Sequence, residues 1–496
     1  MTDTANSKVA GKEVDVTKSI NELPEAQAEI LKSVLTTGYG VSPETQNDAS
    51  ALRIENLDDQ IKNMTWSEED FTIVRDIERE VSTSTVQKYV TFLKHGRIGS
   101  TLFQPEIGIS NVNSPRLKQK QVNMKYIVDV RQQSMVSNLV RNIASPTDIN
   151  LLDSMLVVTK TIEWAIFYGD ADMTADGEGQ GLEFDGLVKL MNQNNVLDAH
   201  GQSLTPELLN YSATVIGKYF GVATDAYMPI GVKADFSNQF LGAQRIVIPS
   251  QEGSTFGVNA DKFLSARGNI RLNGSTIMDN DSVLDTDSEV DPSAPQAPTV
   301  TAKVEADKGG VWLAKDKDFS NGIKVAKEVG VEQEYRVTLT GTSAISAPSE
   351  IVKATPANAT DGVTLEIAIN TIQRSIPSYA SVYRKGQVTG EFYLIKRIPM
   401  SQMTDEGKLV FTDIDERMPE TADVFILERR PTVLSLLELL PTTKVNLPVI
   451  TTATQFMLLW FGALKVSNPN RIVRIKNVRY VSGNENYMRQ QVQLTV

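Results

Sequence analysis

The 496-residue chain has no cysteine and only two histidines, His95 and His200. The first absence excludes disulfide frameworks, thiolate zinc sites and cysteine nucleophiles. The second leaves Ser-His-Asp triads and multi-histidine metal centres without material. Positive charge is also short: 49 Lys and Arg stand against 61 Asp and Glu, for a net charge of −12. That balance argues against generic binding to a phosphate backbone, which runs on Lys and Arg neutralising phosphates. Long apolar runs are missing too. The longest, "FMLLWFGALKV" at Phe456–Val466, is too short to span a bilayer. The N-terminal stretch "MTDTANSKVAGKEVDVTK" is polar and lacks the apolar segment of a secretory signal. These bounds point to a soluble, intracellularly made protein with no membrane partner, no cofactor and no enzymatic activity. What is present is enough for a substantial core, since 41% of the residues are hydrophobic. The length predicts roughly two to four compact units.

Residues 1–50 read as a tail. It carries one amphipathic helix at Leu23–Leu35, and the turn-forming stretch "TTGYGVSPETQNDAS" follows. In 51–95, "SEEDFTIVRDIERE" predicts a charged amphipathic helix capped by Ser67, and "STSTVQKYVTFLKHG" predicts a strand. His95, alone before a glycine, reads as a surface residue. Residues 96–131 read as two extended arms around the turn "NVNSPR", with Arg116, Lys118 and Lys120 at the tip. A two-stranded arm is marginal by itself in water. On an acidic protein, a basic tip is expected to meet acidic side chains of another copy. Residues 145–168 give the clearest element. Ser145 is an N-cap candidate, Pro146 falls at the first helical position and Asp148 completes a capping pattern. Ile149, Leu152, Leu156, Ile162 and Ile166 then recur near helical spacing.

That helix runs into "YGDADMTADGEGQGLEFDGL", residues 168–187, which holds six acidic side chains and five glycines. A calcium-loop template laid on Asp172 places Asp176 at its fifth position, Gly177 at its sixth and Glu183 at its twelfth. Thr174 and Gly179 depart from the template. The loop therefore reads first as a structural turn, in which Gly169 stops the helix and Leu182, Phe184 and Leu187 pin the returning chain. Asp172, Asp176 and Glu183 remain the metal candidates.

Downstream, "TPELLNYSATVIGKYFG" predicts a helix capped by Thr205. "AYMPIGVKADF" predicts a buried strand and a turn, and "FLSARGNIRLNGSTIMDN" predicts strand-turn-strand. His200 falls in a turn. After the Pro-rich boundary "DPSAPQAPTV", seven short β-like runs fill 291–420: "TVTAKVEA", "EYRVTLTG", "SEIVKATP", "GVTLEIAI", "SYASVYRKG", "EFYLIKRIP" and "KLVFTDI". This is the texture of a β-sandwich inserted on a surface loop. It reads as a removable module, stabilising or host-binding. The rest, 421–496, returns to mixed texture with buried segments and a closing strand, "NRIVRIKNVRYV".

Several of these stretches also carry a family resemblance. "TGYGVSPETQNDASALRIENLDDQI", "VQKYVTFLKHG", "KTIEWAIFYGDA", "GEGQGLEFDGL", "GKYFGVATDAYMPIGVKADF" and "RIKNVRYV" resemble the major capsid proteins of Twort-like myophages, within the tailed-phage Hong Kong 97-type capsid family. The resemblance covers nearly the whole chain. It implies an α+β fold of the Hong Kong 97 type with a 1–50 tail that a protease removes, an N-arm at 51–95, an E-loop at 96–135 and a P-domain at 136–196. The A-domain would take 197–290 and, with the P-domain, 421–496, and an Ig- or fibronectin-like insertion would take 291–420. It further implies a homo-oligomer of hexamers and pentamers that encloses double-stranded DNA without reading its sequence. Portal, scaffold and maturation protease would be partners, and the virion would be the destination, after assembly in the host cytoplasm. Two alternatives stay open at this point: a phage adhesin using the Ig-like module, or an encapsulin-like cargo shell.

Overall fold

Residues 424–427, "VFIL", are apolar at every position, and all are fully buried. They belong to Thr421–Leu427, an inner strand of a six-stranded mixed sheet. Its order is Lys262–Ser265, Gly268–Ser275, Asp225–Pro229, Thr421–Leu427, Ile472–Arg479, Val196–Asp198. Such a run is what a strand covered on both faces requires. Val424 and Ile426 face one core with Ala226, Met228, Val473 and Ile475. Phe425 and Leu427 face a second core with Tyr227 and Ile472. Two helices, Pro206–Lys218 and Ile230–Asn238, cover the first face through Leu209, Ala213, Ile216, Val232 and Phe236. The 23-residue helix Pro146–Tyr168 covers the second with Ile162, Ile166 and Phe167.

The computed structural model describes residues 6–9, 12–15, 71–94, 103, 106–107, 114–139, 145–174, 181–240, 248–250, 253–255, 260–280, 283–284, 293–318, 324–341, 344–369, 376–404, 406–448 and 452–481. The helix expected at Leu23–Leu35, together with Ser67, His95, the turn at 111–113 and Asp176, lies outside them. Within the separate unit Met1–Asn63, strands Asn6–Val9 and Lys12–Asp15 pair antiparallel.

A four-stranded sheet extends the body from the long helix: Arg79–Val81, Leu434–Asn446, Ala453–Val466, Lys125–Ser134. Pro441 sits where the register of Leu434–Asn446 shifts, a position at which a missing N–H costs no ladder bond. Lys125–Ser134 follows a two-stranded ribbon, Val86–Lys94 against Arg116–Asn123. The strand opposite Arg116–Asn123 is thus Val86–Lys94, upstream of the arm at 96–110 that the alternation suggested.

All seven β-like runs in 291–420 form strands, and they build two facing sheets. One is Thr299–Glu305, Gly362–Ala368, Lys408–Asp413; the other is Val352–Ala354, Gln333–Gly341, Pro377–Lys385, Phe392–Pro399. Val337, Leu339, Val363, Leu365, Ile367, Ala380 and Val382 fill the space between them.

Three local expectations change. In the described part of "SEEDFTIVRDIERE", from Phe71 on, the expected helix is one turn, Ile73–Asp76, followed by strand Arg79–Val81. Phe71, Ile73, Val74 and Ile77 are all buried, so the segment has no single wet face to sustain a longer amphipathic helix. After strand Asp225–Pro229 comes the helix Ile230–Asn238 where a turn was expected. Pro229 stands at its N-cap, leaving the chain pre-set for a helix start. Ser145 holds the expected N-cap position of the long helix but makes no side-chain cap bond. Thr205 does cap its helix, accepting from the Leu208 N–H at 3.4 Å. Among the described residues, no helix is long and apolar enough to cross a membrane.

Candidate functional site

The functional interest concentrates where the long helix ends. Gly169 donates its N–H to the Ala165 carbonyl at 2.9 Å, and Gly186 donates to the Gly169 carbonyl at 2.8 Å. A Cβ on Gly169 would stand 2.3 Å from the Phe184 carbonyl oxygen; one on Gly186 would stand 2.6 Å from that of Ala165. Two backbones cross here at a distance that only glycine permits.

The carboxylates around the crossing are held by cations. Lys189 Nζ lies 2.5 Å from Asp170, 2.6 Å from Asp172 and 2.9 Å from Asp185. Burial works against its charge, but the three carboxylates raise its pKa well above the usual lysine range. Glu183 receives both Arg397 Nη1 bonds at 3.0 Å and the Asp170 N–H at 3.1 Å. Lys125, at the start of its strand, donates to the Gly181 carbonyl. The metal candidates are therefore dispersed: Asp172 pairs with Lys189, Glu183 with Arg397, and Asp176 is not described. Among the described residues, no group of three or more His, Asp or Glu side chains is arranged to hold a metal.

One turn back along the helix, Glu163 is fully buried. It accepts from the Thr72 N–H at 3.0 and 3.1 Å, from Thr72 Oγ1 at 2.9 Å and from the Val74 N–H at 3.3 Å. Burial pushes its carboxyl above the usual range, while the donors from Thr72 and Val74 pull it back. A second anchor holds the same segment. Asp225, itself buried, lies 3.1 Å from Arg271 and 3.0 Å from Arg429, and Arg429 also donates to the Asp76 carbonyl at 2.6 Å.

The sandwich is bonded into the body. Arg397 reaches the long helix from strand Phe392–Pro399. Glu420, at the sandwich's exit, accepts the Val388 and Thr389 N–H groups at 2.8 and 2.7 Å and lies 3.8 Å from Arg479 of the body's closing strand. Met418 donates to Asn477 Oδ1 at 3.0 Å.

Arg116, Lys118 and Lys120 lie along a strand, opposite Lys94, Thr91 and Tyr89 in register, and not at a turn. Their i, i+2, i+4 spacing puts all three on one face of the ribbon. Arg116 and Lys118 are exposed; Lys120 is half-buried, with its pKa lowered by burial and by Lys118.

Sequence reading missed Lys189, Arg397 and Glu163. Lys189 had a local signal, the i,i+4 spacing to Asp185. Glu163 had one too, a lone charge inside "IEWAIF". Arg397 had none, because its partner lies 214 residues away.

The charged groups of this site fasten one backbone to another. A family model described as SU10 major capsid protein matches residues 102–303. The sequence is 47% identical over 457 residues to the major capsid proteins of Staphylococcus phage S25-3 and Staphylococcus phage K, spanning 92% of this chain and 96% of each relative. The chain belongs to this family, the phage major capsid proteins of the Twort-like group. Among solved structures, the capsid of a native GTA particle is a distant likeness, with a TM-score of 0.43 and 7% identity over 89% of this chain and 100% of that one.

Proposed function

We propose that this chain is the shell subunit of an icosahedral phage head of the Hong Kong 97 type, closing around double-stranded DNA without sequence-specific contacts. Its work is geometry, with no catalysis and no cofactor. The observation that carries the reading is an uncovered apolar sheet face. Tyr126, Val128 and Val130 are each about half exposed, at 53%, 51% and 52%. They stand in register with Phe461, Leu459 and Met457, opposite the face that Ile127, Leu458 and Trp460 bury toward the long helix. On the adjoining ribbon, Val90 and Leu117 are 62% and 56% exposed. A contiguous apolar surface of this kind marks a contact with another molecule, and in a shell the abundant partner is a second copy. Weak contacts repeated by symmetry reach high avidity together.

In this reading strand Arg116–Asn123 of the ribbon belongs to an E-loop at 96–135 that overlies a neighbour, and its partner Val86–Lys94 closes an N-arm at 51–95. The long helix is the spine of a P-domain at 136–196. The six-stranded sheet builds an A-domain at 197–290, and 421–496 returns to the A-domain and the P-domain. The 291–420 sandwich is an Ig- or fibronectin-like insertion. Hexamers and pentamers assemble in the host cytoplasm with portal, scaffold and a maturation protease that removes the 1–50 tail, and the product resides in the virion.

The test is electron microscopy and sedimentation of the expressed chain beside the triple variant Arg116→Glu, Lys118→Glu, Lys120→Glu. The parent forms closed particles; the variant keeps its circular dichroism but fails to assemble at low salt, where exposed charges count most. A parent that stays a small oligomer under assembly conditions overturns the shell reading. Normal particles from the variant at every salt concentration overturn the electrostatic docking of the ribbon.

A further inference from the structure

The main apolar cluster inside the sandwich is separate from the one around the long helix, and the apolar link between the two parts is a small cluster of Val325, Met418, Leu313 and Val481. A cavity of about 290 Å³ lies at the junction, lined by Trp164, Tyr168, Met278, Leu394, Phe411 and Arg474 among others. Polar contacts therefore do much of the joining, and interfaces of that composition permit relative motion of the units they join.

Arg397 is the contact that reaches farthest into the body. Its side chain is 10% exposed. Nη2 donates to the Tyr168 carbonyl at 2.6 Å and Nη1 to both Glu183 oxygens at 3.0 Å. The guanidinium lies 4.7 Å from the Trp164 ring centroid and 5.3 Å from that of Tyr379. Tyr168 is the last residue of the long helix, so its carbonyl has no partner one turn ahead. A cation at that end also meets the negative pole of the helix. Glu183 in turn takes the Asp170 N–H, so one guanidinium holds the helix terminus and, through Glu183, both limbs of the loop. Burial opposes the charge on Arg397, yet Glu183 and the surrounding acceptors raise its pKa above the ordinary arginine value.

We propose that Arg397 is a positioning residue that couples the seating of the sandwich to the crossing of the two backbone limbs, 169–173 and 181–187, at the end of the long helix. It is a helix cap supplied in trans by the inserted domain. When the sandwich is seated, the terminal carbonyl and Glu183 are held and the two backbones stay crossed. When the sandwich shifts, the guanidinium withdraws and the two limbs part.

Hydrogen exchange on the full-length protein tests this. Arg397→Ala raises exchange of peptides covering 165–173 and 181–190 by about ten-fold or more, the effect expected from losing buried, charge-assisted hydrogen bonds. Strands 333–341 and 362–368 inside the sandwich stay protected. Arg397→Lys recovers only part of the protection, because an ammonium cannot lie flat between two rings and bridge carbonyl and carboxylate together. The decisive variant is Glu420→Gln, which loosens the sandwich at its other anchor. It raises exchange at the loop in the parent and adds nothing in the Arg397→Ala background. Loop exchange unchanged in Arg397→Ala overturns the proposal. So does a Glu420→Gln variant that loosens 386–390 without affecting the loop, or one whose effect on the loop survives without Arg397. If Arg397→Ala does not fold, Glu183→Gln takes its place with the same two required outcomes.

Discussion

The carboxylate of Glu163, inside the long helix, accepts the backbone N–H of Thr72 at 3.0 and 3.1 Å across a separation of 91 residues. That contact ties the start of the described body to its central helix. Glu163→Ala leaves the Thr72 and Val74 N–H groups buried without partners, at a cost of about 3 kcal/mol. Glu163→Gln keeps one acceptor oxygen and costs roughly half as much. Chemical denaturation measures both. Hydrogen exchange should localise the loss to 71–77, and an alanine variant as stable as the parent would show that the segment is held by its apolar side chains alone.

Chelation should leave the melting temperature unchanged. The described carboxylates of the acidic loop already have cations in Lys189 and Arg397. Removing the internal cation is what should matter. Lys189→Met leaves Asp170, Asp172 and Asp185 facing one another and destabilises by roughly 1 kcal/mol, a modest figure because Lys189 is partly open to solvent. Thermal melts with and without chelator decide the matter. A parent that loses several degrees in chelator would restore the calcium reading of Asp172, Asp176 and Glu183.

The sandwich should weaken as pH rises. Arg384 is fully buried, 2.8 Å from Asp413, 2.5 Å from Asp415 and 3.6 Å from Glu328, with Trp312 stacked at 4.8 Å and Tyr335 donating to Asp413 at 3.0 Å. One guanidinium cannot balance three buried carboxylates. Burial pushes the Asp415 carboxyl well above its usual range; Arg384 pulls it back and Glu328 adds to the rise. A carboxyl whose folded pKa lies above its unfolded one favours the protonated fold. Its contribution is complete below the unfolded pKa and is lost as pH climbs through the folded one, at up to about 1.4 kcal/mol per pH unit. Protection factors of 333–341, which remove the intrinsic rise of amide exchange with pH, should therefore fall as pH climbs above the ordinary carboxylate range, and Asp415→Asn should flatten that dependence. A parent profile already flat over this interval would sink the prediction.

Much of the architecture was legible because it is written locally. Pro146 opens the long helix and Gly169 closes it within the reach of a helical turn. Pleated alternation and turn residues announced the seven strands of 291–420, since a strand with one wet face must alternate. "SEEDFTIVRDIERE" misled because polar residues in sequence suggested a solvated face, while packing buried Phe71, Ile73, Val74 and Ile77 together.

The sequence by itself determined the long helix, the seven strands of 291–420, the absence of thiol chemistry and, through its long shared motifs, the family. Only the tertiary structure decided which elements meet. Periodicity reports neighbours three, four or two residues away, and nothing in it ties Arg116–Asn123 to Val86–Lys94. Nor does it join Arg397 to Glu183 across 214 positions or Glu163 to Thr72 across 91. Those pairings are set when apolar faces close on one another and leave a buried charge with one partner within reach. In the acidic loop they bring Lys189 to Asp170, Asp172 and Asp185, and Arg397 to Glu183, partners that the sequence alone did not display.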